Sequence, residues 1–319
     1  MRKNNHTKLS SNHLKEIFLS VGADDVGFVE IGRPALKDSK EAILELFSNT
    51  KTLVSVVVSL NRPNLCTPAR NLTSYEIHNG EDLLGELQGK VLKRLRKEGY
   101  SGLALPAAFP MDIEQLPNKR IGVSHKIVAE QSGMGLMGLS RLVLHPEWGS
   151  AIILGSMLLD CEVDSYGSPV VNSPCINCQI CVDACPVGAI KADGSFDFSA
   201  CGNHNYRELI FGFLDWVDAL VSSGDMIAYR SRFSDSETLS WWQSLAYKPN
   251  YKCNHCMGVC PAGSTIIQEY IDDPDAYVAK VVQPLIERVE TVYAVPGSDA
   301  EGAALRNPAK KVKSVLLSR

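Results

Sequence analysis

No stretch of the sequence approaches the ~18 consecutive apolar residues that mark a membrane-spanning helix. The opening residues, Met1 to Leu9, lead into no apolar run, which argues against a secretory signal. Charge of one sign is not in excess: the formal net charge is −4, too small for any global attraction to nucleic acid or anionic membrane. With 45% hydrophobic and 21% charged residues, the 319-residue chain has the composition of an ordinary globular protein able to bury a large core. Cysteine is abundant. Eight of the ten cysteines lie between Cys175 and Cys260, while Cys66 and Cys161 stand alone. A disulfide framework spreads its cysteines through a small, poorly cored domain; clustering in one segment of a large chain favours metal ligation. These features together predict a reduced, cytoplasmic setting.

Upstream of the cysteines, helix and strand signals alternate. Leu14, Ile17, Phe18 and Val21 recur at helical spacing before Gly22, and Val26 to Ile31 reads as a strand. Thr52 to Leu60 is rich in β-branched residues and predicts a buried strand. A long amphipathic helix is expected over 81–98, ended by Gly99, with short strands over 102–105 and 151–159 and a helix over 123–132. Parallel crossovers are compatible with this order. Beyond Pro261, helices are expected over 265–270 and 275–292, then a partly ordered tail whose Lys310, Lys311 and Lys313 form a solvated end.

The first cysteine run, Cys175-Ile-Asn-Cys178-Gln-Ile-Cys181-Val-Asp-Ala-Cys185-Pro186, is C-x2-C-x2-C-x3-C-P. This is the bacterial ferredoxin spacing, in which three thiolates wrap one [4Fe–4S] cluster and the fourth ligates another. The second run, Cys253-Asn-His-Cys256-Met-Gly-Val-Cys260-Pro261, has only three cysteines, and Cys201 between the runs supplies an eighth. The crossing rule assigns Cys175, Cys178, Cys181 and Cys260 to one cluster and Cys185, Cys201, Cys253 and Cys256 to the other. Zinc is the alternative for C-x2-C pairs, but zinc sites rarely need this four-cysteine spacing. Cys66 and Cys161 lack partner spacing and read as small buried hydrophobes.

These runs resemble those of the epoxyqueuosine reductases and their relatives, the reductive dehalogenases. So do Ala129-Glu-Gln-Ser-Gly-Met-Gly-Leu-Met-Gly-Leu-Ser-Arg, Pro146-Glu-Trp-Gly-Ser150 and Leu154-Gly-Ser-Met-Leu-Leu-Asp160, so that the resemblance extends over roughly residues 10–270. It implies an α+β chain, with a nitroreductase-like α/β domain over 1–166 that holds cobalamin. A bacterial two-[4Fe–4S] ferredoxin-like domain over 167–272 feeds it electrons, and a C-terminal helix and tail fill 273–319. The implied activity is that of a cobalamin-dependent iron–sulfur oxidoreductase, with reduced ferredoxin or flavodoxin as electron donor. The alternatives are an electron-transfer protein without its own substrate and a flavin-dependent reductase. Two departures from the family pattern stand out. The aspartate that serves the epoxyqueuosine reductases as proton donor is matched near Lys119 or Arg120, with Asp112 and Glu114 farther upstream, and there is no room for a C-terminal helical-repeat region. The expected substrate is therefore a small molecule, with nucleic acid an unexpected partner.

Tyr75, His125 and Lys126 are the candidates for proton chemistry, since reductive cleavage needs a proton where an anion develops. Gly133, Gly135 and Gly138 match G-x-G-x-x-G, but a helix rather than a strand precedes them, which excludes a dinucleotide fingerprint. They are cofactor-binding candidates through close backbone approach to a flat macrocycle, or else pack against a neighbouring strand. Trp241 and Trp242 are expected to shield a cluster, and Arg230 and Arg232 could dock an acidic electron donor.

Overall fold

The structure, a computed structural model, describes residues 8–110 and 123–315. Its N-terminal part is built on a four-stranded sheet of β1 (Asp25–Glu30), β2 (Thr52–Ser59), β3 (Gly102–Ala104) and β6 (Ile152–Leu159), ordered β1-β2-β6-β3. Every pairing is antiparallel, so the parallel crossovers compatible with the sequence do not occur. β2 is buried along nearly its whole length because helices cover both faces of the sheet. Val54, Val56 and Val58 point to one face and pack against Leu14, Ile17, Phe18, Leu84, Leu87 and Val91. Leu53 points to the other and meets Val29, Ile43 and Val128. The period-two alternation of a strand sends each set to its own layer.

The helix Ser11–Ser20 starts at Ser10, whose side chain accepts from the His13 N–H, and buries Leu14, Ile17 and Phe18 on one stripe. The long helix Arg70–Lys97 begins eleven residues earlier than its hydrophobic pattern indicates and carries Arg94, Arg96 and Lys97 in its last turn, where cations complement the helix dipole. It can lie close to the sheet because Gly80 and Gly155 leave space where a Cβ would strike Leu60 and Leu84. A two-stranded ribbon of β4 (Leu136–Met137) and β5 (Val143–Leu144) follows the helix His125–Ser132.

In the cysteine-rich part, short helices carry the ligand loops. Between them stand the helices Phe213–Ser222, Met226–Arg232 and Asp235–Ala246, with their own small core of Ala219, Tyr229, Phe233 and Trp241. Trp241 thus belongs to that core and Trp242 is exposed, so neither covers the cysteines. Arg230 and Arg232 pair with Asp235 and Asp218.

The C-terminal part departs most from expectation. The helical stretch after Pro274 ends at Ile286; β7 (Glu290–Ala294) and β8 (Lys310–Ser314) then pair in parallel around the helix Asp299–Leu305. Residues 273–315 are therefore no mere helix and tail. Val292, Ala294, Ala300 and Ala304 pack onto Val187, Ala189 and Ala200 of the cysteine-rich part. Lys310 and Lys313 escaped recognition because their charges are matched inside the fold, by Glu290 and Glu237.

The N-terminal and cysteine-rich parts meet closely. The Ser264 N–H donates to the Pro146 carbonyl at 2.9 Å, and the Ser150 hydroxyl donates to the Met257 carbonyl at 2.8 Å. Gly149, at φ 55°, lies so near the Ala262 carbonyl that no side chain fits between them.

Candidate functional site

The structure brings the cysteines together in two sets of four. Cys175, Cys178, Cys181 and Cys260 line one small cavity beneath Leu139 and Leu144. Cys185, Cys201, Cys253 and Cys256 line a second, larger cavity of about 480 Å³, within the range of ligand pockets. The four-residue helix Ile180–Asp183 joins the sets and carries Cys181, with Cys185 just beyond its end. Cys201 comes from the helix Phe198–Asn205, capped by Asp197. Asn205, on the same helix, accepts the Cys253 main-chain N–H and so fixes where the second run begins.

Burial makes Cys178, Cys181, Cys201, Cys253, Cys256 and Cys260 resist ionisation. Burial first, then neighbouring Cys260, Cys178 and Cys175, pushes Cys181 up to about 12. Burial, then Cys185, pushes Cys201 up to about 12 as well. Burial followed by the nearby thiols shifts Cys256 in the same direction; for Cys253 the Glu290 carboxylate stands between those two causes. Desolvated thiols that repel one another as thiolates form a donor set that ionises onto a cationic centre, and each set suits an iron–sulfur cluster in that respect. Among the described residues, no three His, Cys, Asp or Glu side chains stand at single-ion distances; a cuboidal cluster instead offers one iron to each of four thiolates.

The larger cavity lies between the two parts of the protein. Ile152, Ile153 and Leu154 of β6 form an apolar wall on one side, and the second cysteine set lies on the other. His125 and Lys126 line it. The ring of His125 is fully engaged: its Nε2–H donates to the Pro106 carbonyl at 3.0 Å and its Nδ1 accepts from the Ser156 hydroxyl at 2.8 Å. Burial lowers its pKa. Lys126 donates to the Arg141 carbonyl at 2.6 Å and stands within electrostatic reach of Cys256 and Cys201; burial, then Arg141, lowers its pKa.

Tyr75 is not at the cavity. It is 65% exposed on the outer face of the helix Arg70–Lys97, because the apolar stripe of that helix turns Ile77 and Leu84 inward instead. The three glycines do not line the cavity either. Gly133 caps the helix His125–Ser132 in the left-handed conformation, at φ 88°, against the Ser168 carbonyl. Gly135 and Gly138 let the chain pass Leu144, and Gly138 lies beside Cys175. Their closeness serves packing against the neighbouring strand β5. Asp112, Glu114, Lys119 and Arg120 lie outside the described residues.

Sequence reasoning missed a polar cluster on the cavity wall. Glu81 accepts from the Tyr251 hydroxyl at 3.1 Å and meets His78 Nδ1 at 2.9 Å, while His78 Nε2 donates to the Pro249 carbonyl at 2.7 Å. Burial pulls the His78 pKa down, but its bonds to Glu81 and Pro249 outweigh that and raise it. Glu81 and Tyr251 both line the cavity. No local pattern joins residues 170 apart in sequence.

The 4Fe-4S binding domain family matches residues 169–191. Over 221 residues the chain is 34% identical to the epoxyqueuosine reductase of Listeria monocytogenes, covering 65% of this chain and 50% of that protein. The chain is a homologue of the epoxyqueuosine reductases. The Staphylococcus aureus epoxyqueuosine reductase is 26% identical over 150 residues, or 47% of this chain and 32% of that protein. The chain thus spans 32% and 50% of the length of these two relatives. Among solved structures, an epoxyqueuosine reductase crystallised with a tRNA-Tyr epoxyqueuosine-modified stem loop has a TM-score of 0.51 at 18% identity, over 80% of this chain and 66% of that one. A reductive dehalogenase, described as the basis for a B12-dependent mechanism, has a TM-score of 0.51 at 16% identity, over 97% of this chain and 39% of that one. These structural likenesses are of fold. The tRNA stem loop bound by the first neighbour overturns the expectation of a small-molecule substrate without nucleic acid. Net charge misled here, because a global balance says nothing about a local contact surface. Among the described residues no helix is long and apolar enough to cross a membrane.

Proposed function

We propose that the chain is an iron–sulfur oxidoreductase in which two [4Fe–4S] clusters relay electrons to a cobalamin held in the large cavity. One cluster would be held by Cys175, Cys178, Cys181 and Cys260, the other by Cys185, Cys201, Cys253 and Cys256. The observation that carries this reading is the shared space: the second cysteine set and the apolar edge of the antiparallel sheet face one cavity of about 480 Å³. A bare electron carrier needs no such chamber between its cysteines and a second domain. The N-terminal part, a sheet covered by helices on both faces, would serve as a nitroreductase-like cofactor domain.

When bound, the clusters supply single electrons and the corrin supplies a strongly reducing metal centre. The chain's own residues prepare the chamber. Ile152, Ile153 and Leu154 exclude water from one wall. Lys126 places a cation beside the second cysteine set, where each arriving electron adds negative charge. His78, behind the wall, has an acceptor opposite each ring nitrogen, which favours its doubly protonated form beside the Glu81 carboxylate that lines the cavity. The name of the relatives and the stem loop bound by one structural neighbour support a nucleoside carried in tRNA as the substrate class.

The test is to reconstitute the full chain anaerobically, add hydroxocobalamin, desalt, and measure iron and cobalt. About eight irons and close to one retained cobalt per chain are expected. Full iron without cobalt would overturn the corrin assignment and leave an electron carrier, or a flavin enzyme if a yellow cofactor accompanies the protein. Incubating the loaded, reduced protein with epoxyqueuosine-containing tRNA then tests the substrate class by nucleoside analysis.

A further inference from the structure

His204 lies three residues after Cys201 on the helix Phe198–Asn205, so the two side chains share a helix face. Its ring is 1% exposed, yet it lines the same cavity as Cys201, Cys253 and Cys256. Its Nδ1 accepts the main-chain N–H of Tyr293 at 3.4 Å. An accepting Nδ1 carries no proton, so in the neutral ring the proton sits on Nε2. That Nε2 is buried and has no hydrogen-bond partner in the protein. Leaving a buried N–H unmatched is costly, and folded proteins leave few of them.

The surrounding charges explain why no protein group answers it. Glu290, the carboxylate that acts on the ring electrostatically, is engaged by Lys310 and Arg288 and faces His255 Nε2 at 3.6 Å. Burial, reinforced by His255, Arg288 and Arg70 and opposed by Glu290, keeps the ring neutral. His255 differs: its Nδ1–H already donates to the Ala184 carbonyl at 3.0 Å.

We propose that the His204 Nε2–H donates a hydrogen bond to a sulfur of the cluster bound by Cys185, Cys201, Cys253 and Cys256. This rests on the two-cluster reading. Cluster sulfurs gain negative charge on reduction and become better acceptors, so the bond strengthens in the reduced state and raises that cluster's potential.

The experiment uses the anaerobically reconstituted full chain, with potentials followed by EPR-monitored redox titration. His204→Phe should retain about eight irons while one cluster moves to lower potential and the other stays fixed. His204→Gln, which keeps an N–H donor, should fall between the two. Full iron with both potentials unchanged in His204→Phe would overturn the inference. A second measurement does not depend on that variant loading: electron–nuclear double resonance of reduced protein labelled with 15N-histidine. A histidine nitrogen coupling that persists in His255→Gln supports the assignment, and its absence overturns it. About four irons per wild-type chain would instead refute the two-cluster reading itself.

Discussion

The side-chain carbonyl of Asn205 accepts the main-chain N–H of Cys253 at 2.9 Å, joining residues 48 apart. One helix thereby presents Cys201 as a thiol and sets the position of the second cysteine run. Asn205→Ala removes the acceptor and leaves a part-buried N–H unmatched, at about 1–3 kcal/mol. In the reconstituted protein, iron on the second set should be lost to a chelator faster than in wild type. Equal loss rates would show that the ligand loop holds its shape without this bond.

Cys201→Ala should lower bound iron by roughly half, since one four-thiol set is broken and the other is intact. EPR of the reduced variant should retain the signal of one cluster. Unchanged iron and spectra would remove Cys201 from the ligand set.

The helices between Cys201 and Cys253 are anchored by a buried pair, Glu208 with Lys252, and Glu208 also accepts from Ser240 at 2.7 Å and Ser244 at 2.6 Å. Burial pulls the Lys252 pKa down to about 8 despite the carboxylate. Glu208→Ala strands that lysine and should destabilise the protein by about 3–5 kcal/mol in denaturant unfolding. A loss below 1 kcal/mol would mean that water reaches Lys252 once its partner is gone.

Asp25 receives hydrogen bonds from Lys15 at 2.9 Å, the Val26 N–H at 2.8 Å and His145 at 3.4 Å. Burial alone would raise its pKa, but these three bonds bring it from 3.8 to about 2. The folded value lies below the unfolded one, so the stabilisation is complete well above 3.8 and disappears as pH falls towards 2. Asp25→Asn should cost about 2 kcal/mol at pH 7. The gap between the two proteins should close as unfolding is followed downward from pH 5. A gap independent of pH would assign the loss to packing.

Periodicity revealed what is local. β2 was legible as a short run rich in β-branched residues, and the helix Ser11–Ser20 because its buried residues recur at three to four positions. The start of the helix Arg70–Lys97 was hidden because its first turns bury Thr73, Ser74 and Glu76, polar side chains matched by distant partners such as the Asn64 and Tyr251 carbonyls. The same principle concealed β8, where Lys310 looked solvated because Glu290 is twenty residues away. The cysteine spacing was readable since ligand geometry acts over a few bonds. The cavity was not: Glu81, Lys126, His204 and Tyr251 meet only once two domains close over one another. Tyr75 shows the converse, a chemically apt residue turned outward by the stripe of its own helix.

Each cavity draws thiols from both ends of the cysteine-rich segment, with Cys260 returning to the first run and Cys185 reaching the second. Iron would therefore act as a clasp on the long excursion between Cys201 and Cys253. The entropic cost of closing such a loop rises only by about 0.6 kcal/mol for each doubling of its length. With its ends fastened, the excursion keeps its own small core around Trp241, while Asn205, Glu208 and Glu237 tie it to Cys253, Lys252 and Lys313.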